Sequence, residues 1–153
     1  IEQLNKNGYV KINMNIDLID NLSRYCETKL KQNQEIEDRI KSSHKNIIDI
    51  IEKSDYCLKN PIVEWALDEN NLVIASEYLG YAAILDRIQI IYSYPNEIET
   101  TSYSQNWHRD YDDTRIIKMI AYVRDVNKFN GPFTFYNATD SIKIPKYFLL
   151  IYY

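Results

Sequence analysis

The sequence predicts an α+β fold in which helices brace an antiparallel β-sandwich or barrel. Two observations carry this reading. Helical periodicity dominates the chain up to Gly80, and strand-like runs follow it. With 153 residues the chain fits one domain, helical over about 1–80 and β over about 81–153. Hydrophobic residues make up 45%, enough for a core that needs no disulfide or metal to hold it.

The elements read in order. Residues 2–7 form a short helix that stops at Gly8, a natural C-cap. Tyr9-Val10-Lys11-Ile12 alternates as a first strand. Asp17 is placed to cap a second helix, in which Leu18, Ile19, Leu22, Tyr25, Cys26 and Leu30 recur on one face. Residues 31–45 are highly charged and read as a solvated helix or a loop. Ile47, Ile48, Ile50 and Ile51 suggest a further helix. Asn60-Pro61 is a helix start, the helical pattern covers 62–66 and 72–79, and Gly80 ends it.

Beyond Gly80, residues 87–94 are β-branched and aromatic and read as a strand ending at Pro95. Residues 115–123 (RIIKMIAYV) are a second strand, Asn130-Gly131-Pro132 is a turn, and residues 133–136 and 147–153 are further strands.

Composition narrows the function classes. The formal net charge is −4 with no dense basic run, which argues against nucleic-acid partners. No apolar run is long enough to span a bilayer, and the polar first residues do not resemble a signal peptide, so a cytoplasmic location is expected. Cys26 and Cys57 form no CxxC pair and read as reduced thiols. Only three glycines are present, and neither GxGxxG nor a Walker motif occurs.

The stretch from Gln105 to Asp113 (QNWHRDYDD) carries the chemistry. Residues two apart on a strand share a face, so His108 and Asp110 can direct an imidazole and a carboxylate to one point. Those are two of the three ligands of a facial triad on iron(II). Lys118 lies inside an otherwise apolar strand, on the face it shares with Ile116, Ile120 and Tyr122. If that face lines an interior, the ammonium requires an anion beside it.

The order of short motifs resembles the phytanoyl-CoA dioxygenase-like family. These are Gly8-Tyr9 after a first helix, Tyr78-Leu79-Gly80, Trp107-His108-Arg109-Asp110, Tyr122-Val123-Arg124-Asp125-Val126 and Asn130-Gly131-Pro132. The resemblance runs from about Leu4 to Ser141. It implies a double-stranded β-helix, or jelly roll, buttressed by amino-terminal helices. It implies an iron(II)- and 2-oxoglutarate-dependent oxygenase hydroxylating a small-molecule substrate with molecular oxygen. His108 and Asp110 would bind the metal, and Lys118 and Gln105 the co-substrate. The third ligand, a histidine after the turn, has no counterpart. The chain has only two histidines, and His44 precedes the motif. Two accounts fit: a segment lacking near 141–147 or after 153, or a degenerate member. The intact His-x-Asp favours the first. The rival reading is a non-catalytic jelly-roll binding protein with an incomplete iron site.

Overall fold

A computed structural model describes residues 1–32, 36, 38, 47–93, 108, 115–141 and 143. In chain order the elements are α1 (Glu2–Asn7), α2 (Ile16–Gln32), β1 (Ile47–Asp49), a 3-10 turn (Lys53–Asp55), α3 (Pro61–Ala66), α4 (Glu69–Leu79), β2 (Ile91–Ser93) and α5 (Ala138–Ser141).

The helix limits follow from local chemistry. Gly8 adopts φ 80° and closes α1 with its N–H on the Leu4 carbonyl, as its freedom from a Cβ allows. At the start of α2 the Asn15 side chain, two residues before the expected Asp17 cap, accepts the Asp17 N–H at 2.9 Å. Asn60 caps α3 by accepting the Ile62 N–H at 3.0 Å, with Pro61 at the first helical position. Asp68 does the same for α4 through the Asn70 N–H, and Gly80 at φ 83° ends it.

The isoleucine run 47–51 differs from its expected helix. Residues 47–49 pair antiparallel with β2, placing Ile47 opposite Ser93, Ile48 opposite Tyr92 and Asp49 opposite Ile91. Four β-branched side chains are stiff at χ1 and suit a pleated surface better than a helix. The strand expected over 87–94 shortens to 91–93 for a related reason. The Asp49 carboxylate accepts the Ile90 N–H at 3.1 Å and the Gln89 side-chain amide at 3.1 Å, so a side chain replaces a ladder rung there.

The core lies between α2, α3 and one side of this small sheet. Leu22 and Cys26 from α2 meet Ile62 and Val63 from α3, together with Ile50, Ile88, Ile90 and Ile36. Ile50 is the least exposed of them at 2%. Tyr9-Val10-Lys11-Ile12 forms no strand. Residues 116–122 carry no regular secondary structure, and burial alternates from Lys118 to Val123. Lys118, Ile120 and Tyr122 face outward, while Ala121 and Val123 pack toward the core and the Ser23 hydroxyl donates to the Val123 carbonyl at 2.9 Å.

The jelly roll is therefore not this fold. Among the described residues the sheet has two strands, β1 and β2. A double-stranded β-helix needs about eight strands in two facing sheets. Among the described residues, Ile48 and Tyr92 of the sheet pack against the cluster formed with α2 and α3. Residues 116–122 and 131–137 have no regular secondary structure and join no ladder with described residues. The last expected strand, 147–153, lies outside the described residues. Among the described residues no helix is long and apolar enough to cross a membrane.

Candidate functional site

The most developed polar constellation is a knot around Asp55, assembled by α2, the 3-10 turn and the start of α3. Asp55 is 5% exposed. One of its oxygens accepts the Tyr25 hydroxyl. The other accepts the Glu52 N–H at 2.6 Å and the Lys29 ammonium at 2.6 Å. Tyr25 and Lys29 lie four apart and so share one face of α2. Asn60 donates from its side-chain amide to the Tyr25 oxygen at 2.7 Å, while its carbonyl oxygen caps α3. Lys29 also reaches Glu52 at 2.9 Å, a side chain that is mostly in water.

The electrostatics follow from this geometry. Burial opposes ionisation of Asp55, but hydrogen bonds from Lys29, Tyr25 and the Glu52 N–H, with the attraction of the ammonium, outweigh it. The carboxyl sits below its ordinary value. Burial likewise works against charge on Lys29, and its two carboxylate partners reverse this and raise its pKa. Burial and the hydrogen bond to Asp55 raise the Tyr25 phenol. Burial, then the charge of Asp55, pushes the Cys26 thiol up. Each polar group in the knot is satisfied by another, and no buried side-chain polar atom among the described residues lacks a partner. Such an arrangement fixes the packing of α2 on α3 and holds its charges in place; it presents no poised base or nucleophile.

The residues expected to carry chemistry fall elsewhere. His108 is exposed. Asp110 and Gln105 lie outside the described residues, as does His44. Lys118 is exposed on the outer face of 115–123. At the surface its ammonium does not incur the burial cost that motivated a dicarboxylate beside it. Among the described residues no group of three or more His, Cys, Asp or Glu side chains is placed to hold a metal ion.

A second feature is a row of aromatic side chains at the surface. Tyr122 accepts the Phe133 N–H on its hydroxyl at 2.8 Å. The Phe133 and Phe135 rings stack at 6.0 Å, and Phe135 meets Tyr9 edge-on at 5.0 Å. All four are exposed, Phe133 at 59%. The row is built by the turn at 127–130, which returns the chain alongside 120–122, and by α1, which packs against α5.

No protein-family model, curated protein or solved structure matches the chain. The resemblance to the phytanoyl-CoA dioxygenase-like family is thus not upheld. It rested on short motifs in order, and the barrel on which that family builds its iron site is not the fold. The oxygenase assignment fails with it, because the His-x-Asp pair has no β-helix to aim it and a third ligand at one metal. The alternative of a jelly-roll binding protein fails for the same reason.

Sequence reasoning missed the Asp55 knot. Its members are spread over residues 25–60, and Tyr25 was counted only as an apolar position of α2. One local signal was present: Glu52 and Asp55 stand three apart and form a reciprocal capping box around the 3-10 turn.

Proposed function

We propose that this chain is an interaction domain that recognises a partner protein through the aromatic row Tyr9–Phe135–Phe133–Tyr122. The observation that carries the reading is the run of three exposed rings in contact, Tyr9, Phe135 and Phe133, joined by Tyr122 through its hydroxyl, on a frame anchored to the core through Val123 and Ser23. Aromatic side chains supply large contact area at low entropic cost and concentrate binding energy where they cluster. Contiguous apolar surface on a folded domain marks a contact site. The net charge of −4 favours a protein partner over a nucleic acid. Two free cysteines suit a reducing, cytoplasmic setting.

The test is selection of a random peptide library on the purified domain. Peptides rich in apolar and aromatic residues are expected to enrich. The double variant Phe133→Ser, Phe135→Ser should bind them at least about tenfold more weakly, with the far-ultraviolet circular dichroism unchanged. Recovery of no peptide that distinguishes the two proteins removes the proposal.

A second reading keeps metal binding apart from any reaction. The surface position of His108 and its i, i+2 spacing from Asp110 in the sequence support iron(II) as a ligand, with 2-oxoglutarate as a chelating companion. Calorimetric titration with iron(II) under anaerobic conditions, with and without 2-oxoglutarate, should show saturable uptake that His108→Ala weakens at least about tenfold. Equal isotherms for the two proteins exclude the site.

A further inference from the structure

The turn at 127–130 and the exposed face of α4 carry complementary features. Asn127 and Asn130 lock the turn: the Asn130 N–H donates to the Asn127 carbonyl at 3.0 Å, the Asn127 N–H to the Asn130 side chain at 3.0 Å, and the Phe129 N–H to the Asn127 side chain at 2.8 Å. Gly131 leaves the turn at φ 65°. The rigid loop holds Phe129 out at 84% exposure, with the Lys128 ammonium 4.9 Å from its ring centroid. A fixed aromatic tip costs little conformational entropy to bury, which makes it an effective knob.

On α4, Leu72, Val73 and Ser76, with Leu67 before the helix, line a groove of about 390 Å³ rimmed by Glu69 and Glu77. Glu69, Val73 and Glu77 recur every four residues and so form one stripe along the helix. Val73 is 49% exposed. The depression is wide open to solvent, so an occupying ring would lie against it without being enclosed. Apolar floor and acidic rim match an aromatic ring carrying an ammonium.

We infer that two copies of this chain associate head to tail, Phe129 of one seated in the α4 groove of the next and Lys128 beside Glu69 and Glu77. The occupant is a second copy because the chain itself carries both halves of the match in charge and in polarity, and Phe129, at 84% exposure, does not fill the groove of its own molecule. This goes beyond the aromatic-row reading and uses different residues. An interface joining two different patches is heterologous, so repetition gives a ring or an open chain instead of a closed twofold pair. The patches are small, which places the association in the weak class.

Sedimentation equilibrium over a concentration series tests it. The wild-type protein should show a mass that rises with concentration. Phe129→Ala, which removes the knob, and Val73→Lys, which places a cation in the groove, should each stay monomeric over the same range. An equimolar mixture of the two should regain association and stop at the dimer, because one copy retains the groove and the other the knob. A wild-type protein monomeric at about 1 mM, or a mixture that remains monomeric, overturns the inference. Peptide binding by the aromatic row is unaffected by either variant, so failure of one proposal is distinguishable from failure of the other.

Discussion

Asp55→Ala should lower folding stability by about 3–5 kcal/mol, the cost typical of removing one partner of a buried ion pair. The loss is not that of a single contact. It leaves the Lys29 ammonium, whose side chain is 11% exposed, without its nearer carboxylate, and leaves the Tyr25 hydroxyl and the Glu52 N–H without their acceptor. Glu52 stays within 2.9 Å of Lys29 but is mostly solvated, so it offsets little of the loss. Total stability of small domains is about 5–15 kcal/mol, so denaturant unfolding of the variant should begin at far lower concentration. Adding Lys29→Met to Asp55→Ala should recover part of the loss, because the orphaned charge is then gone. Strict additivity of the two substitutions in urea melts would show that the pair is not coupled.

The same knot sets a pH dependence. Asp55 has a folded pKa below its unfolded value, so its contribution is fully present above the unfolded pKa, about 4, and is lost as pH falls through the folded value. Lys29 has the opposite sign. Its raised pKa gives a contribution present below the ordinary lysine value, about 10.4, and lost as pH rises through the folded value. Stability from the knot is therefore flat through neutral pH and falls at both ends.

The helical half was legible because its signals are local. Gly8, Asn60-Pro61 and Gly80 each act within one turn, and the stripe of Leu22, Tyr25 and Cys26 needs only a periodicity of 3.6. The β half was not, because a strand is defined by a partner far away in sequence. Burial alternates over 118–123 as along a strand, yet alternation does not say whether another strand or a helix covers the inner face. Here Ser23 of α2 takes up the Val123 carbonyl. The barrel expectation came from joining motifs whose order suggested a scaffold that no single one required. His108 was read from spacing on an assumed strand, and the Asp55 knot was overlooked because it brings together residues of α2 and the start of α3 that no short window contains.

Ile50→Ala should cost about 2–5 kcal/mol, close to the effect at Asp55 but by a different mechanism. Ile50 is 2% exposed and sits where the end of β1 meets α2 and α3, among Leu22, Ile62, Ile88 and Ile90. Its N–H donates to the Ile90 carbonyl at 2.9 Å, so the backbone position is fixed and the side chain cannot be replaced by collapse of the chain. Truncation leaves a cavity that the neighbouring β-branched side chains, stiff at χ1, fill poorly. Ile84 is the control: it is 88% exposed, and Ile84→Ala should change stability by no more than about 0.5 kcal/mol. Thermal and urea unfolding of both variants at neutral pH measure the difference. Similar losses at the two positions would contradict a core between the isoleucine strand and α2, and would place the hydrophobic centre of the molecule elsewhere.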